Sequence, residues 1–382
     1  MNFDLSEEQL LLHDTVRKLV ENECPATRLR EIFDGDSGFD PVLWKSMVEM
    51  GVAGLLIPEA YGGAGLELLD LAVVAEVLGY AAAPGPFLGH ALAGLAIAQA
   101  GSDAQKRKWL PKLATGDALA SIALGEAGDA WQPEQWSLGT GEPVAAAAFG
   151  EQGGWQAGQG APAEGETLAG EKRHVLFAHH ADLLVVGVAG GRFVLVEPGA
   201  GGVEFEEVAG ADRTRRLDHV RFDGAECESL PGGPEVAERV LDAALVLLAA
   251  DAFGGASRCV ESSVEYAKTR EQFGVTIGHF QALKHQLANM AVEVEPMRGL
   301  YWFAAHAFDH APEESRRAAA IANAHISDGF MQVARDTVEA HGGIGFTWEC
   351  DVQIWFKRAM FDRAYLGTPA VHRERAARLG GW

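Results

Sequence analysis

Glu265-Tyr-Ala-Lys-Thr-Arg-Glu-Gln-Phe-Gly-Val-Thr-Ile-Gly-His-Phe-Gln-Ala-Leu-Lys-His-Gln-Leu-Ala-Asn-Met290 is the stretch from which the rest of the chain is read. A helix is expected to run into Arg270, the chain to turn at Gly274 and Gly278, and a second helix to start near Phe280 and Gln281. Glycine reaches backbone angles that a residue with a Cβ resists. Arg270 offers a fixed fork of donors that suits phosphate, and Phe273 offers a flat face beside it. Arginine, aromatic ring and tight glycine turn together form a dinucleotide contact. The same pattern also caps a helix, so this stretch alone leaves both readings open.

Two more stretches narrow the choice. Val338-Glu-Ala-His-Gly-Gly-Ile-Gly-Phe-Thr347 ends another long helix in a glycine turn, and Ile57-Pro-Glu-Ala-Tyr-Gly-Gly-Ala-Gly65 lies near the N-terminus. In this order, and over nearly the whole chain, the motifs resemble the acyl-CoA dehydrogenase family. The resemblance implies an α+β, mostly α fold. It places a helical domain over 1–118, an antiparallel β domain over 119–232, and a C-terminal four-helix bundle over 233–382.

The residue pattern agrees with that order. Ser6 with Gln9 forms a capping box ahead of Leu10, Leu11 and Leu12, and a helix follows Asp40-Pro41. Helices are expected over Leu66–Ala81 and Phe87–Ala100, parted by Pro84-Gly85-Pro86. Strand-like alternation then takes over. Leu183–Val188 and Phe193–Val196 flank Gly190-Gly191 as a hairpin, and Val203, Phe205 and Val208 continue the sheet. His219–Phe222 ends it before Pro231-Gly-Gly-Pro234. Between Trp131 and Gly165, short strands with long exposed loops are expected. From Glu235 onward helical spacing returns: Leu241, Leu245, Leu248 and Ala252 share a face, as do Ile326, Phe330 and Val333.

A chain of 382 residues, 48% of them apolar, buries a large core in two or three domains. Its net charge of −23 argues against nucleic acid or an anionic membrane surface as a partner. An anionic ligand would need a locally basic pocket. Cys24, Cys227, Cys259 and Cys350 lie far apart without metal-ligand spacing, and no metal site is expected. The acidic N-terminus has no leader pattern, and Val73–Ala100 is interrupted by Glu76, Pro84, Pro86 and His90. A cytoplasmic protein is expected.

The family's reaction removes two hydrogens from an acyl-CoA: a glutamate takes the α-proton while FAD accepts hydride from the β-carbon. In most members that glutamate precedes a Gly-Thr pair. Here the arm reads Ala364-Tyr-Leu-Gly-Thr-Pro369, so Leu366 stands at the base position before Gly367 and Thr368. Some members place the base 26 residues before the motif arginine, which here is Ala244, followed by Leu245 where an arginine occurs in some members. Neither side chain accepts a proton, and loss of a general base costs roughly 10²–10⁴-fold in rate. Glu349, Asp351 and Asp362 are the acids left to act as a displaced base. The family's own-subunit flavin loop is matched by Leu124-Gly-Glu-Ala-Gly-Asp129, with Gly125 at the usual threonine, and His174 stands at the usual tryptophan.

The elements that family members lend across a dimer interface are kept. The resemblance assigns FAD contacts to Arg270, Gln272, Phe273, Gly274, Gln281, Glu339, Gly342, Gly343, Gly345 and Thr368. Glu339 departs from the common glutamine, and a carboxylate near pyrophosphate is unfavourable unless turned away. Keeping what is lent and losing what is used at home resembles the non-catalytic subunit of α2β2 acyl-CoA dehydrogenases. The partners implied are a paralogous catalytic subunit, an acyl-CoA such as a steroid side-chain thioester, and an electron-transfer flavoprotein. Two alternatives stand: a homotetrameric dehydrogenase with a displaced base, and a flavin-free scaffold binding acyl-CoA or protein.

Overall fold

The computed structural model describes residues 4–35, 37–141 and 166–382. Trp155 and most of the loop region expected between Trp131 and Gly165 lie outside the described residues.

The N-terminal part is helical: α1 (Glu7–Glu23), α2 (Ala26–Asp34), α3 (Pro41–Glu49), α4 (Leu68–Tyr80), α5 (Phe87–Ala100) and α6 (Asp103–Thr115). The Ser6–Gln9 capping box opens α1, and Asp40 caps α3 through the Val42 and Leu43 amides. Helices α4 and α5 are apolar on almost every side and are buried accordingly.

The described strands of the middle part form two four-stranded sheets rather than one. The first holds β1 (Ala120–Ala123), β4 (Leu183–Val188), β5 (Arg192–Val196) and β8 (Glu228–Ser229), in the order β1-β4-β5-β8. Gly190 and Gly191, at φ 80° and 67°, turn the β4–β5 hairpin as their sequence requires. The second sheet runs β2 (Thr140–Gly141), β3 (Thr167–Leu176), β7 (Leu217–Glu226), β6 (Val203–Val208). Val203–Val208 therefore does not continue the hairpin's sheet, as alternation alone suggested. It crosses over to pair with β7, and the chain then returns to the first sheet at β8.

The C-terminal part opens with α7 (Pro234–Thr269), then a two-residue-per-strand hairpin, β9 (Glu271–Gln272) and β10 (Val275–Thr276). Helices α8 (Gln281–His310), α9 (Pro312–Ala340), α10 (Val352–Ala364) and α11 (Pro369–Leu379) follow. Helix α7 packs on α8, α9 and α10, while α11 lies against α9. Helix α4 also packs on α7, at a crossing so close that a Cβ on Gly254 would stand 1.9 Å from the Glu76 carbonyl oxygen. By length and hydropathy α7 could cross a membrane. Its apolar window is 94% buried inside the protein, as a core helix is.

One buried ionic knot ties the three parts together. The Arg358 guanidinium on α10 donates to Asp212 (2.6 Å), to Asp251 on α7 (3.0 Å) and to the Ala83 carbonyl (3.1 Å). Arg215, from the loop before β7, donates to the same Asp251 (2.7 Å) and to the Gly85 carbonyl (3.3 Å).

Candidate functional site

The hairpin after α7 is built to present a side chain. Phe273 and Gly274 form its two-residue loop, at φ 54° and 80°, the left-handed pair a type I′ turn needs. Glycine adopts that angle freely, whereas phenylalanine does so at a cost of about 1 kcal/mol or more. The strained ring is 92% exposed and meets Phe280 edge-on at 6.1 Å. Gly278 lies in the single 3-10 turn Ile277–His279 without a left-handed φ, and a Cβ there would stand 2.9 Å from the Ala267 carbonyl oxygen.

Arg270 is fixed by its backbone, whose N–H donates to the Tyr266 carbonyl (2.8 Å) and whose carbonyl accepts from Ile277 (2.8 Å). Among the described residues its guanidinium meets no carboxylate and makes no hydrogen bond. The side chains of Gln281 and Glu339 are likewise exposed and unpaired among the described residues, and Gln272 donates to the neighbouring Glu271 carbonyl (2.8 Å).

The second glycine stretch lies beside the first. Tyr266, one turn before Arg270, stacks on His341 at 4.4 Å and 21°. His341 closes α9, and Gly342 at φ 64° ends it in the left-handed conformation. Gly343 has open space where a side chain would be, while a Cβ on Gly345 would meet the Val338 carbonyl oxygen at 2.4 Å. Phe346, at 76% exposure, extends the apolar surface of the turn. The structure thus brings Arg270, Gln272, Phe273, Gly274, Gln281, Glu339, Gly342 and Gly343 to one exposed end of the bundle. Thr368 does not join them: it is exposed at the start of α11, on the arm that carries Leu366.

Both base positions are sealed. Leu366 is 0% exposed and sits at φ 62°, and Ala244 is 0% exposed inside α7. Asp351 is paired with Arg30 at 3.0 Å, and Glu349 is exposed before α10, with no partner among the described residues to aim it. Asp362 is buried, with both carboxylate oxygens lacking a hydrogen-bond partner among the described residues. Burial and the adjacent Asp251 push its pKa well above the carboxylate range. The cavity between α4, α5 and α7, lined by Phe87, Leu88, Leu247, Arg215 and Asp251, measures about 10 Å³. That is room for about one water and not for an acyl chain. A wider cleft of about 400 Å³ opens between α8, α9 and α11, but it contains none of the expected residues.

The chain's own flavin positions are filled from within. A Cβ on Gly125 would lie 2.6 Å from the Trp131 ring. Trp131 is buried, and its ring stands 5.2 Å from Tyr365 and 5.9 Å from His174. His174 holds φ 56° at a bulge in β3 and meets His219 at 5.1 Å. Burial, then His219 and Arg173, lower its pKa from the ordinary histidine value. In the sequence Trp131 stands out only as a loop tryptophan. The available signal was its place, two residues past the shortened Gly125–Asp129 loop. The usual threonine and tryptophan are both missing from the flavin edge, and the space beside Gly125 is occupied, so these residues do not fit FAD. The exposed Arg270 and the glycine turns do fit an anion.

Comparison with known proteins identifies the family and the fold. Residues 6–117 match the acyl-CoA dehydrogenase N-terminal domain, and residues 232–380 match the acyl-CoA dehydrogenase C-terminal domain. The acyl-CoA dehydrogenase IpdE2 of Mycobacterium tuberculosis is 34% identical over 95% of this chain and 94% of its own. Among solved structures, a variant of the Tcur3481-Tcur3483 steroid ACAD is 30% identical, with a TM-score of 0.85 over 98% of both chains. The ChsE4-ChsE5 complex from Mycobacterium tuberculosis is 26% identical, with a TM-score of 0.83 over 100% of this chain and 99% of that one.

Proposed function

The chain belongs to the acyl-CoA dehydrogenase family, and we propose that within it this chain is a non-catalytic subunit of a heteromeric FAD-dependent enzyme. A paralogous catalytic subunit supplies the glutamate and most of the flavin site, in an α2β2 tetramer with one FAD per heterodimer. FAD, when bound there, supplies the hydride acceptor. This chain supplies Arg270, Phe273, Gln281 and the Gly342–Gly345 turn to its pyrophosphate and adenosine side, with Gln272, Gly274 and Glu339 shaping the same edge. Thr368 belongs to this chain's own disused arm. We place the divisions between its three parts near residues 118 and 232.

The observation that carries this reading is the contrast between the two ends of one machine. Leu366 and Ala244 are wholly buried apolar groups where a base would stand, while Arg270 is an exposed cation with nothing to bind among the described residues. Two of the similar solved structures carry paired names, and one of them is called a steroid ACAD. Those names support a two-chain assembly acting on a steroid-derived acyl-CoA, reoxidised by an electron-transfer flavoprotein.

The test is to purify the chain alone and together with a paralogue that carries the glutamate. The pair is expected to hold one FAD per heterodimer and to reduce ferricenium with acyl-CoA, the lone chain to do neither. Equal flavin content and activity in the lone chain would end the proposal.

A further inference from the structure

The cleft of about 400 Å³ beside α9 has a charge pattern of its own. Asp328, Gln332 and Arg335 recur along α9 at helical spacing and line it together. Arg363, in the last turn of α10, and Arg373, on α11, reach into the same space. Asp328 gathers these two: its Oδ1 accepts from Arg363 Nε (2.8 Å) and its Oδ2 from Arg373 Nη2 (2.6 Å). Each guanidinium spends one N–H group on this bridge. Among the described residues the rest of each fork makes no hydrogen bond, and Arg335 has neither a hydrogen bond nor an ion pair. Three guanidiniums against Asp328 leave two positive charges here, in a chain whose net charge is −23. Gathering like charges is unfavourable unless an anion joins them. Glu293, on α8, is the other acid lining the cleft, and an anion would sit away from it. The Gln332 Nε2 donates to Asp336 (3.0 Å), which leaves its Oε1 free to accept from a hydroxyl. Guanidinium forks suit phosphate oxygens, and a phosphate monoester carries about −1.5 to −2 charges at pH 7. A bare phosphate would not fill the space, since pockets for small molecules begin at about 300 Å³.

We propose that this cleft binds a small, polar phosphate monoester, with the phosphate on Arg335, Arg363 and Arg373 and the organic part against Gln332. The site does not depend on the helper role. No flavin, partner subunit or catalysis enters its test, so the two ideas fail separately.

The probes are ribose 5-phosphate, inorganic phosphate and ribose, titrated into the full-length chain by calorimetry at low salt. Ribose 5-phosphate is expected to bind once per chain, inorganic phosphate several-fold more weakly, and ribose not at all. Arg335→Gln should weaken ribose 5-phosphate binding about 10–100-fold, the range for a lost charge-assisted contact, without moving the melting curve. Glu293→Gln removes a repelling charge and should tighten binding several-fold. Lys18→Gln, at an exposed cation on α1, should change nothing. Absence of binding, equal affinity for the two phosphates, or unchanged affinity in Arg335→Gln would overturn the proposal. An equal loss in Lys18→Gln would overturn it too, by reducing the effect to overall charge. So would a change of oligomeric state in Arg335→Gln on size exclusion, which would make the cleft a contact between chains.

Discussion

At the scale of single residues, the outcome turns on where side chains sit rather than on which are present. Leu366 is fully buried at a left-handed φ, so restoring an acid there does not restore an enzyme. Leu366→Glu places a carboxylate in an apolar site with no partner, and we expect a loss of about 2–5 kcal/mol of stability in denaturant melts, with no gain in dehydrogenation by the lone chain. Arg270 behaves oppositely. Because its side chain makes no hydrogen bond or ion pair among the described residues, Arg270→Ala should leave the melting curve in place. It should weaken flavin retention in the paired complex by about 10–100-fold, the range for losing a charge-assisted hydrogen bond, as read by FAD release during dialysis. His90 gives the molecule a sensitivity to acid. Its Nε2 meets the Leu113 carbonyl at 3.1 Å and its Nδ1 accepts from the Ala120 N–H at 3.2 Å, so both nitrogens are used by the neutral ring. Burial holds its pKa down from 6.5 to about 4. The unfolded chain therefore takes up a proton that the folded one refuses. This contribution is complete above about pH 6.5 and is lost as the pH falls toward about 4, for a total of about 3 kcal/mol. Thermal melts across that window should show the decline, and His90→Gln should flatten it.

At the scale of elements, local signals and long-range ones part company. Helices with chemical punctuation were legible: Ser6 with Gln9, Asp40 before Pro41, and the glycine that stops α9. So was the β4–β5 hairpin, because Gly190-Gly191 dictates its turn. Helix α2 was not, since Pro25 stands at its N-cap without a side-chain cap hydrogen bond. Nor was the division of the strands into two sheets. Alternation tells which face of Val203–Val208 is apolar but not which neighbour it meets. Within the site, Arg270, Phe273 and the glycine turns were readable because their chemistry is local. Trp131, Lys172 and Arg358 were not, because each acts on partners at least about forty positions away, Tyr365, Glu126 and Asp251 among them. Phe273, His174 and Leu366 hold positive φ without being glycine, but so do Ala82, Asp129 and Phe177, so this strain does not single out the site.

At the scale of the whole molecule, two guanidiniums, Arg215 and Arg358, stand among three carboxylates, Asp212, Asp251 and Asp362, at the meeting of the three parts. Burial and the nearby Asp251 hold the Asp362 carboxyl above the usual carboxylate range, which favours its uncharged form. Asp362→Asn should therefore change stability by no more than about 1 kcal/mol and leave the activity of the paired complex intact, which a displaced base at that position would not survive. Flavin-linked rate and melting temperature of the variant complex measure both. The same knot means that loosening one part loosens all, so the chain should unfold as a unit.

The hairpin tip has a consequence for how the cell handles this protein. A ring that is 92% exposed at Phe273, with Phe346 beside the neighbouring turn, is an apolar spot facing water. On the heteromeric reading proposed above, translation of this chain and its partner would have to run in step, because every surplus copy of this one would carry an uncovered adhesive spot and clump with its own kind.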